Sequence, residues 1–146
     1  MRPVPSRQSL RVLVAYADAA ERDAAVAVFR TVGMDVVAVC STGVEAADTA
    51  LELAPDVCVL DVDLPEAGVL PAAEEIAHGS PDVGIVLVAG ALTEADLAEA
   101  IVAGAAAYLE KSADLAHLAA AVAAVADGHV IYPQALMQRL LGSSAA

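Results

Sequence analysis

At 146 residues the chain has the length of one ordinary domain, enough to bury roughly two-thirds of the surface its unfolded form would expose. Hydrophobic residues make up 59% and alanine about a quarter, which excludes disordered and collagen-like classes, while 3% aromatics and no tryptophan leave the core to Val, Leu, Ile and Ala. Twenty acids against seven bases give a net charge of −13, so a phosphate backbone would repel this polypeptide.

Met1–Ser9, with two prolines, two serines and two arginines, reads as a mobile arm. Asp18 interrupts the apolar stretch behind Arg2, Arg7 and Arg11 too early for a signal peptide. The longest apolar runs, Val83–Leu92 and Leu118–Ala126, are about half of a membrane span, and a cytoplasmic protein with no membrane partner is expected.

From residue 10 to 127, short apolar runs alternate with longer helical stretches. The runs are Val12–Ala15, Val36–Cys40, Val57–Leu60, Ile85–Val88 and Ala107–Leu109. They are continuously apolar, as parallel strands covered on both faces require. Between them, Ala25, Val28, Phe29 and Val32 form one helical stripe, and Leu115, Leu118, Val122 and Val125 another. Thr42 with Glu45 and Thr93 with Asp96 have capping-box spacing, and Gly33 and Gly104 fall at helix C-termini. Five such repeats imply an α/β, doubly wound parallel sheet. Residues 128–146 read as a linker with a short helix over Pro133–Leu141 and a frayed tail from Gly142.

Sites in such sheets form beyond the carboxyl ends of the strands. Asp61 ends the third run and Lys111, the only lysine of the chain, follows the fifth. A carboxylate and an ammonium at one rim would suit phosphoryl acceptance: the carboxylate attacks and the ammonium neutralises the incoming oxygens. An ordinary solvated ion pair is the competing reading.

These residues resemble the receiver domain of two-component response regulators. The resemblance covers Leu10 to Asp127 and is carried by Pro55-Asp56-Val57-Cys58-Val59-Leu60-Asp61, the following Leu64-Pro65, and Gly104 through Lys111. It implies a flavodoxin-like five-stranded sheet in the order 2-1-3-4-5, helices on both faces, and no enzyme activity. Asp61 matches the phosphoacceptor, Lys111 the phosphate-binding lysine, and Tyr108 the aromatic whose rotamer reports activation. The segment Gly128–Pro133 with Leu140-Leu141 is similar to the lead into a helix-turn-helix output domain. On that likeness the chain is either a fragment or a stand-alone receiver, and DNA would be met only through an output domain absent here.

The departures matter as much. Family members place two adjacent acids after the first strand to hold Mg²⁺; here Tyr16 and Ala17 stand there. The hydroxyl-bearing switch position at the end of the fourth strand is Ala89. Mg²⁺ leans on carboxylates to offset its dehydration, so no cofactor is expected unless Asp18, Asp61 and Asp63 together retain the ion. Tyr16 either donates its hydroxyl to Asp61 from the vacated metal position or packs at the strand end. Thr93 and Ser112 are candidate hydroxyl replacements for Ala89, though each also reads as a helix cap, Ser112 in competition with Asp114. His78, His117 and His129 lack metal-ligand spacing and read as surface residues. Cys40 and Cys58 fall on strands that another separates, which argues against a disulfide.

Three functions follow as expectations. The first is an atypical receiver, a regulatory module independent of Mg²⁺-dependent aspartyl phosphorylation, dimerising through its fourth helix, fifth strand and fifth helix, or answering a small ligand or a partner protein. The second is a working receiver phosphorylated on Asp61 by a histidine kinase. The third treats Asp61-Val62-Asp63 as the Asp-x-Asp of a haloacid-dehalogenase-like phosphatase, against which stands its place on the third strand rather than the first. Walker, Gly-x-Gly-x-x-Gly and Gly-x-Ser-x-Gly motifs are absent.

Overall fold

The computed structural model describes residues 9–66, 68–111 and 114–144. The expected arm, apart from Ser9, and the candidate Ser112 lie outside the described residues. In chain order the elements are β1 (Arg11–Ala15), α1 (Ala19–Thr31), β2 (Asp35–Cys40), α2 (Gly43–Leu53), β3 (Val57–Asp61), α3 (Val69–Gly79), β4 (Gly84–Ala89), α4 (Glu94–Val102), β5 (Ala107–Glu110), α5 (Leu115–Ala126) and α6 (Gln134–Ser144). The strands pair in parallel in the order β2-β1-β3-β4-β5.

Successive side chains of a strand face opposite ways, and here both ways lead into a core. Leu13, Cys58, Leu60, Ile85 and Leu87 join the cluster that also holds Ala47, Ile76 and Leu97 from α2, α3 and α4. Val12, Val14, Val57, Val59, Val86 and Val88 join the other, with Phe29 of α1 and Val122 of α5. That two-sided burial is why the runs lack alternation. β2 departs from the two-sided cover expected of its apolar run: at the sheet edge, where the expected strand order puts it, only Cys40 in it is buried, and Val39 is 45% exposed. An edge strand has helix cover only where its neighbour's helices reach across it.

Local chemistry fixes the helix ends. Thr42 and Thr93 cap α2 and α4, accepting from Glu45 N at 3.0 Å and Asp96 N at 3.1 Å. Asp114 caps α5 by accepting from Ala116 N at 3.0 Å. Gly33 and Gly104 have φ of +88° and +92°, as their positions demanded. Ala54 ends α2 in the left-handed region at φ 46°, a conformation an alanine rarely adopts. The Arg11 guanidinium holds it there, donating to Leu53 O at 2.9 Å and Ala54 O at 3.0 Å.

The C-terminal segment is more than a linker. Ile131 bridges to Ala107 in parallel, so the outer edge of β5 is partly paired. Helix α6 packs on α4 and runs to Ser144, past Gly142 where a tail was expected. A glycine costs a helix about 1 kcal/mol relative to alanine but does not end it.

Gly43 opens α2 beneath the β3–α3 loop, and its N–H donates to Pro65 O at 2.9 Å. A Cβ there would collide with the main-chain carbonyls of Gly68 and Glu66, neither of which can swing away. Gly43→Ala is therefore expected to destabilise the fold by about 1–3 kcal/mol, read as a lower urea midpoint at unchanged m-value.

Candidate functional site

Strand order reverses between β1 and β3, so the loops that leave their carboxyl ends part to opposite faces and open a crevice. Asp61, the last residue of β3, stands in it and is fully buried. Lys111 follows β5 directly; its main-chain N–H donates to Ala89 O at 2.8 Å, which aims its side chain across the rim.

The two meet. Lys111 Nζ lies 3.0 Å from Asp61 Oδ1, with the lysine side chain only 9% exposed. The same ammonium reaches Glu21 Oε1 at 3.1 Å and Asp63 Oδ2 at 3.6 Å. Main-chain donors complete the Asp61 carboxylate: Ala17 N donates to Oδ2 and Asp63 N to Oδ1, both at 3.0 Å. One ammonium thus stands among three carboxylates, and both oxygens of the innermost one are already hydrogen-bonded.

Of the other residues singled out, Ala17 contributes its backbone. Asp18 turns to α1, where its Oδ2 caps the helix by accepting from Glu21 N at 2.9 Å. Tyr16 does not reach Asp61: it is buried in the cluster with Val14, Val59 and Phe29, and its hydroxyl has no hydrogen-bond partner among the described residues. Burial raises its pKa, and the negative charges of Asp61 and Glu21 raise it further, so the phenol stays protonated. Of the two readings of Tyr16, packing is the one the geometry supports. Arg22 pins this corner, donating to Tyr16 O at 3.0 Å.

Ala89 is buried at the end of β4 and presents only a methyl group. Tyr108 is buried completely, and its hydroxyl accepts from Thr93 N at 3.1 Å and lies 3.5 Å from Ala91 O. Thr93 therefore serves twice, its hydroxyl as the α4 cap and its amide as the anchor of Tyr108. The three histidines are exposed. Cys40 and Cys58 are free, buried thiols, pushed up to about 11 and about 12, chiefly by desolvation, and hence poor nucleophiles.

Glu21 and Arg22 escaped the reading of the sequence, which searched the strand ends and the first loop residues. The signal was present: Asp18 is an N-cap, so an acid three residues later sits in a first helical turn overhanging the rim. Among the described residues no group of three or more His, Cys, Asp or Glu side chains is arranged to hold a metal ion, and no helix is long and apolar enough to cross a membrane.

Comparison with known proteins agrees with this architecture. The model of the response regulator receiver domain matches residues 12–123. Response regulator GacA of Pseudomonas viridiflava is 35% identical over 112 residues, 76% of this chain and 52% of that protein. Transcriptional regulatory protein DesR of Bacillus subtilis is 35% identical over 109 residues, 73% of this chain and 53% of that protein. The chain thus spans about half the length of these curated relatives. A LuxR-family two-component response regulator from Aurantimonas sp. superposes with a TM-score of 0.83 at 25% identity, covering 95% of this chain and all of that one.

Burial works to lower the pKa of Lys111, but its hydrogen bonds to Asp61 and Glu21, and their charges, outweigh that and raise it. A raised lysine pKa contributes stability that is complete below the unfolded value of about 10.4 and lost as pH rises through the folded value. Lys111→Met is expected to cost about 3–5 kcal/mol at neutral pH, because it leaves a buried carboxylate without its cation. The deficit should narrow as pH rises through the raised folded value, where the wild-type lysine also loses its charge; paired urea titrations across the alkaline range measure it.

Proposed function

This chain belongs to the response regulator receiver family of two-component signalling, and on that premise we propose that it is a receiver whose state is set without Mg²⁺-dependent phosphorylation of Asp61. On this reading it is a non-enzymatic regulatory module of a longer transcriptional regulator, associating with a second copy through α4, β5 and α5. The observation that carries the reading is the ammonium of Lys111 held among Asp61, Glu21 and Asp63.

Phosphoryl transfer to an aspartate needs positive charge where the donor's oxygens arrive. Here the one nearby ammonium is matched against three carboxylates, so an anionic donor approaches a site of net negative charge. A magnesium ion would supply the missing charge, but the donor set does not fit one. Among the described residues Asp61 supplies the only buried carboxylate, Asp18 is committed to the α1 cap, and Tyr16 lies in the apolar core. Mg²⁺ demands near-octahedral oxygen donors and sheds its water reluctantly, so the remaining loop acids are weak compensation.

The output side supports the same reading. Ala89 has no hydroxyl with which to follow a phosphoryl oxygen, and Tyr108 is already buried and anchored to the β4–α4 loop. The aromatic thus already lies inward with no phosphoryl group to draw it there. Regulation then falls to what contacts the domain: a second copy, a partner protein or a small ligand. That DesR is a transcriptional regulatory protein supports transcription as the output of the longer protein.

One feature favours the rival reading of a working receiver served by a histidine kinase: Asp61 and Lys111 remain in contact. Incubation with Mg²⁺ and a small phosphodonor, or with beryllofluoride, separates the two. No mass gain and no NMR shifts around Asp61 and Lys111 are expected, and a stoichiometric, Mg²⁺-dependent response would establish the rival. Tyr16→Asp combined with Ala17→Asp should create saturable Mg²⁺ binding that the wild type lacks, measured by calorimetry.

A further inference from the structure

Beyond β5 the sheet has a guest. Ile131 N donates to Ala106 O at 2.8 Å, and Tyr108 N donates to Ile131 O at 3.1 Å, so one residue of the C-terminal segment completes a short parallel ladder on the outer edge of β5. The next residue, Tyr132, donates its hydroxyl to Ala105 O at 2.6 Å. Helix α6 then lies on α4, with Leu136 buried and Met137 and Leu140 packed against the cluster that contains Leu97 and Ala100. Strand edge, hook and helix all land on the α4–β5 surface that the proposed self-association would use.

We infer that the outer edge of β5 together with α4 is an interaction surface for a strand-then-helix segment, held in cis by Val130–Ser144 and open to a second copy only when that segment leaves. The inference rests on the self-association reading above and adds what controls it. A second copy cannot pair with Ala106 O and Tyr108 N while Ile131 holds both, nor dock on an α4 face already covered by α6.

The cover joins α5 through Gly128, at φ +96°. Two main-chain bonds and one hydroxyl tie it to the β5 edge, and Ile131, Tyr132, Leu136, Met137 and Leu140 pack on the two core clusters. On the α5 side it is not packed tight: a half-open cavity of about 280 Å³ lies between Leu92, His117 and Leu118 and the segment's own Ile131, Tyr132 and Pro133. Lining atoms around such a gap forgo the contacts that would otherwise hold the segment. Glu94, Asp96 and Glu99 on α4 also oppose a second α4 at low salt, which favours the cis arrangement until charge is screened.

The test uses the full chain. Ile131→Pro removes the N–H that meets Ala106 O, and Tyr132→Phe removes the hydroxyl on Ala105 O. The readouts are hydrogen exchange at the Tyr108 amide, whose partner is Ile131 O, and the sedimentation mass at an ionic strength that screens α4. The expected result is a protected Tyr108 amide and a monomer for the wild type. The double variant should show faster Tyr108 exchange and self-association tightened roughly tenfold or more. A synthetic peptide of residues 129–144, added in excess, should return the variant to monomer.

A variant that exposes Tyr108 yet stays monomeric overturns the gating and takes the self-association reading with it. Wild type and variant dimerising equally while the wild-type Tyr108 amide stays protected overturns the gating alone, because association then runs through another face. A dimer that the peptide does not disperse overturns it as well. Should Ile131→Pro unfold the chain, Tyr132→Phe, a change of one oxygen atom, carries the same comparison.

Discussion

The pairing of Lys111 with Asp61 is the constraint on which the rim of the sheet depends. A chain carrying −13 has gathered Asp61, Asp63 and Glu21 at the mouth of one crevice, and its only lysine supplies the cation among them. A buried carboxylate without a cation is among the more destabilising defects a small domain can hold. Satisfying Asp61 draws in the β1–α1 loop through Ala17 N, the β3–α3 loop through Asp63 N and the end of β5 through Lys111. Three separate connections are thereby set relative to one another by a single side chain.

Seen this way, the residues that depart from the family's pattern are consistent with one another. With Tyr16 in the apolar cluster, the β1–α1 loop brings a main-chain N–H to Asp61 where a pair of acids would otherwise bring negative charge. With Ala89 at the end of β4, no hydroxyl competes for the space near the rim, and Tyr108 settles inward on the amide of Thr93. On the proposed reading each departure takes away a group that would respond to phosphate or metal and leaves a neutral, packed or hydrogen-bonded one. The buried Tyr16 hydroxyl is the exception, a polar atom without a partner among the described residues, and nothing in its surroundings accounts for it.

Most of the fold was legible in the sequence because two-sided burial writes itself as unbroken apolar runs, and caps and left-handed glycines mark helix ends within a residue or two. β2 misled because its apolar run reads as covered on both faces, whereas at the edge of the sheet most of it is left partly exposed. Ala54 could not be read at all: its left-handed conformation follows from Arg11, more than forty residues away, bonding the end of α2. At the site, Asp61 and Lys111 were legible from their places at strand ends. Glu21 was hidden on a helix, and Ala17 entered as a side chain lost when its working group is the peptide N–H. Backbone donors carry no residue-type signal, so a site that uses them is always under-read from sequence.

The same limit explains the C-terminal segment. Val130–Pro133 contains too few residues to announce a strand, and the ladder it forms with β5 uses only the main chain of Ile131. Only α6 had a readable pattern, and an amphipathic helix after a linker does not declare what its apolar face will meet. Topology supplies the answer: α5 returns to the base of the sheet, so the chain that leaves it runs parallel to β5 and reaches that strand's free edge first. An unpaired edge is an open template for another chain. A receiver meant to associate through this edge only under control needs it closed at other times, and the nearest material with which to close it is its own next segment.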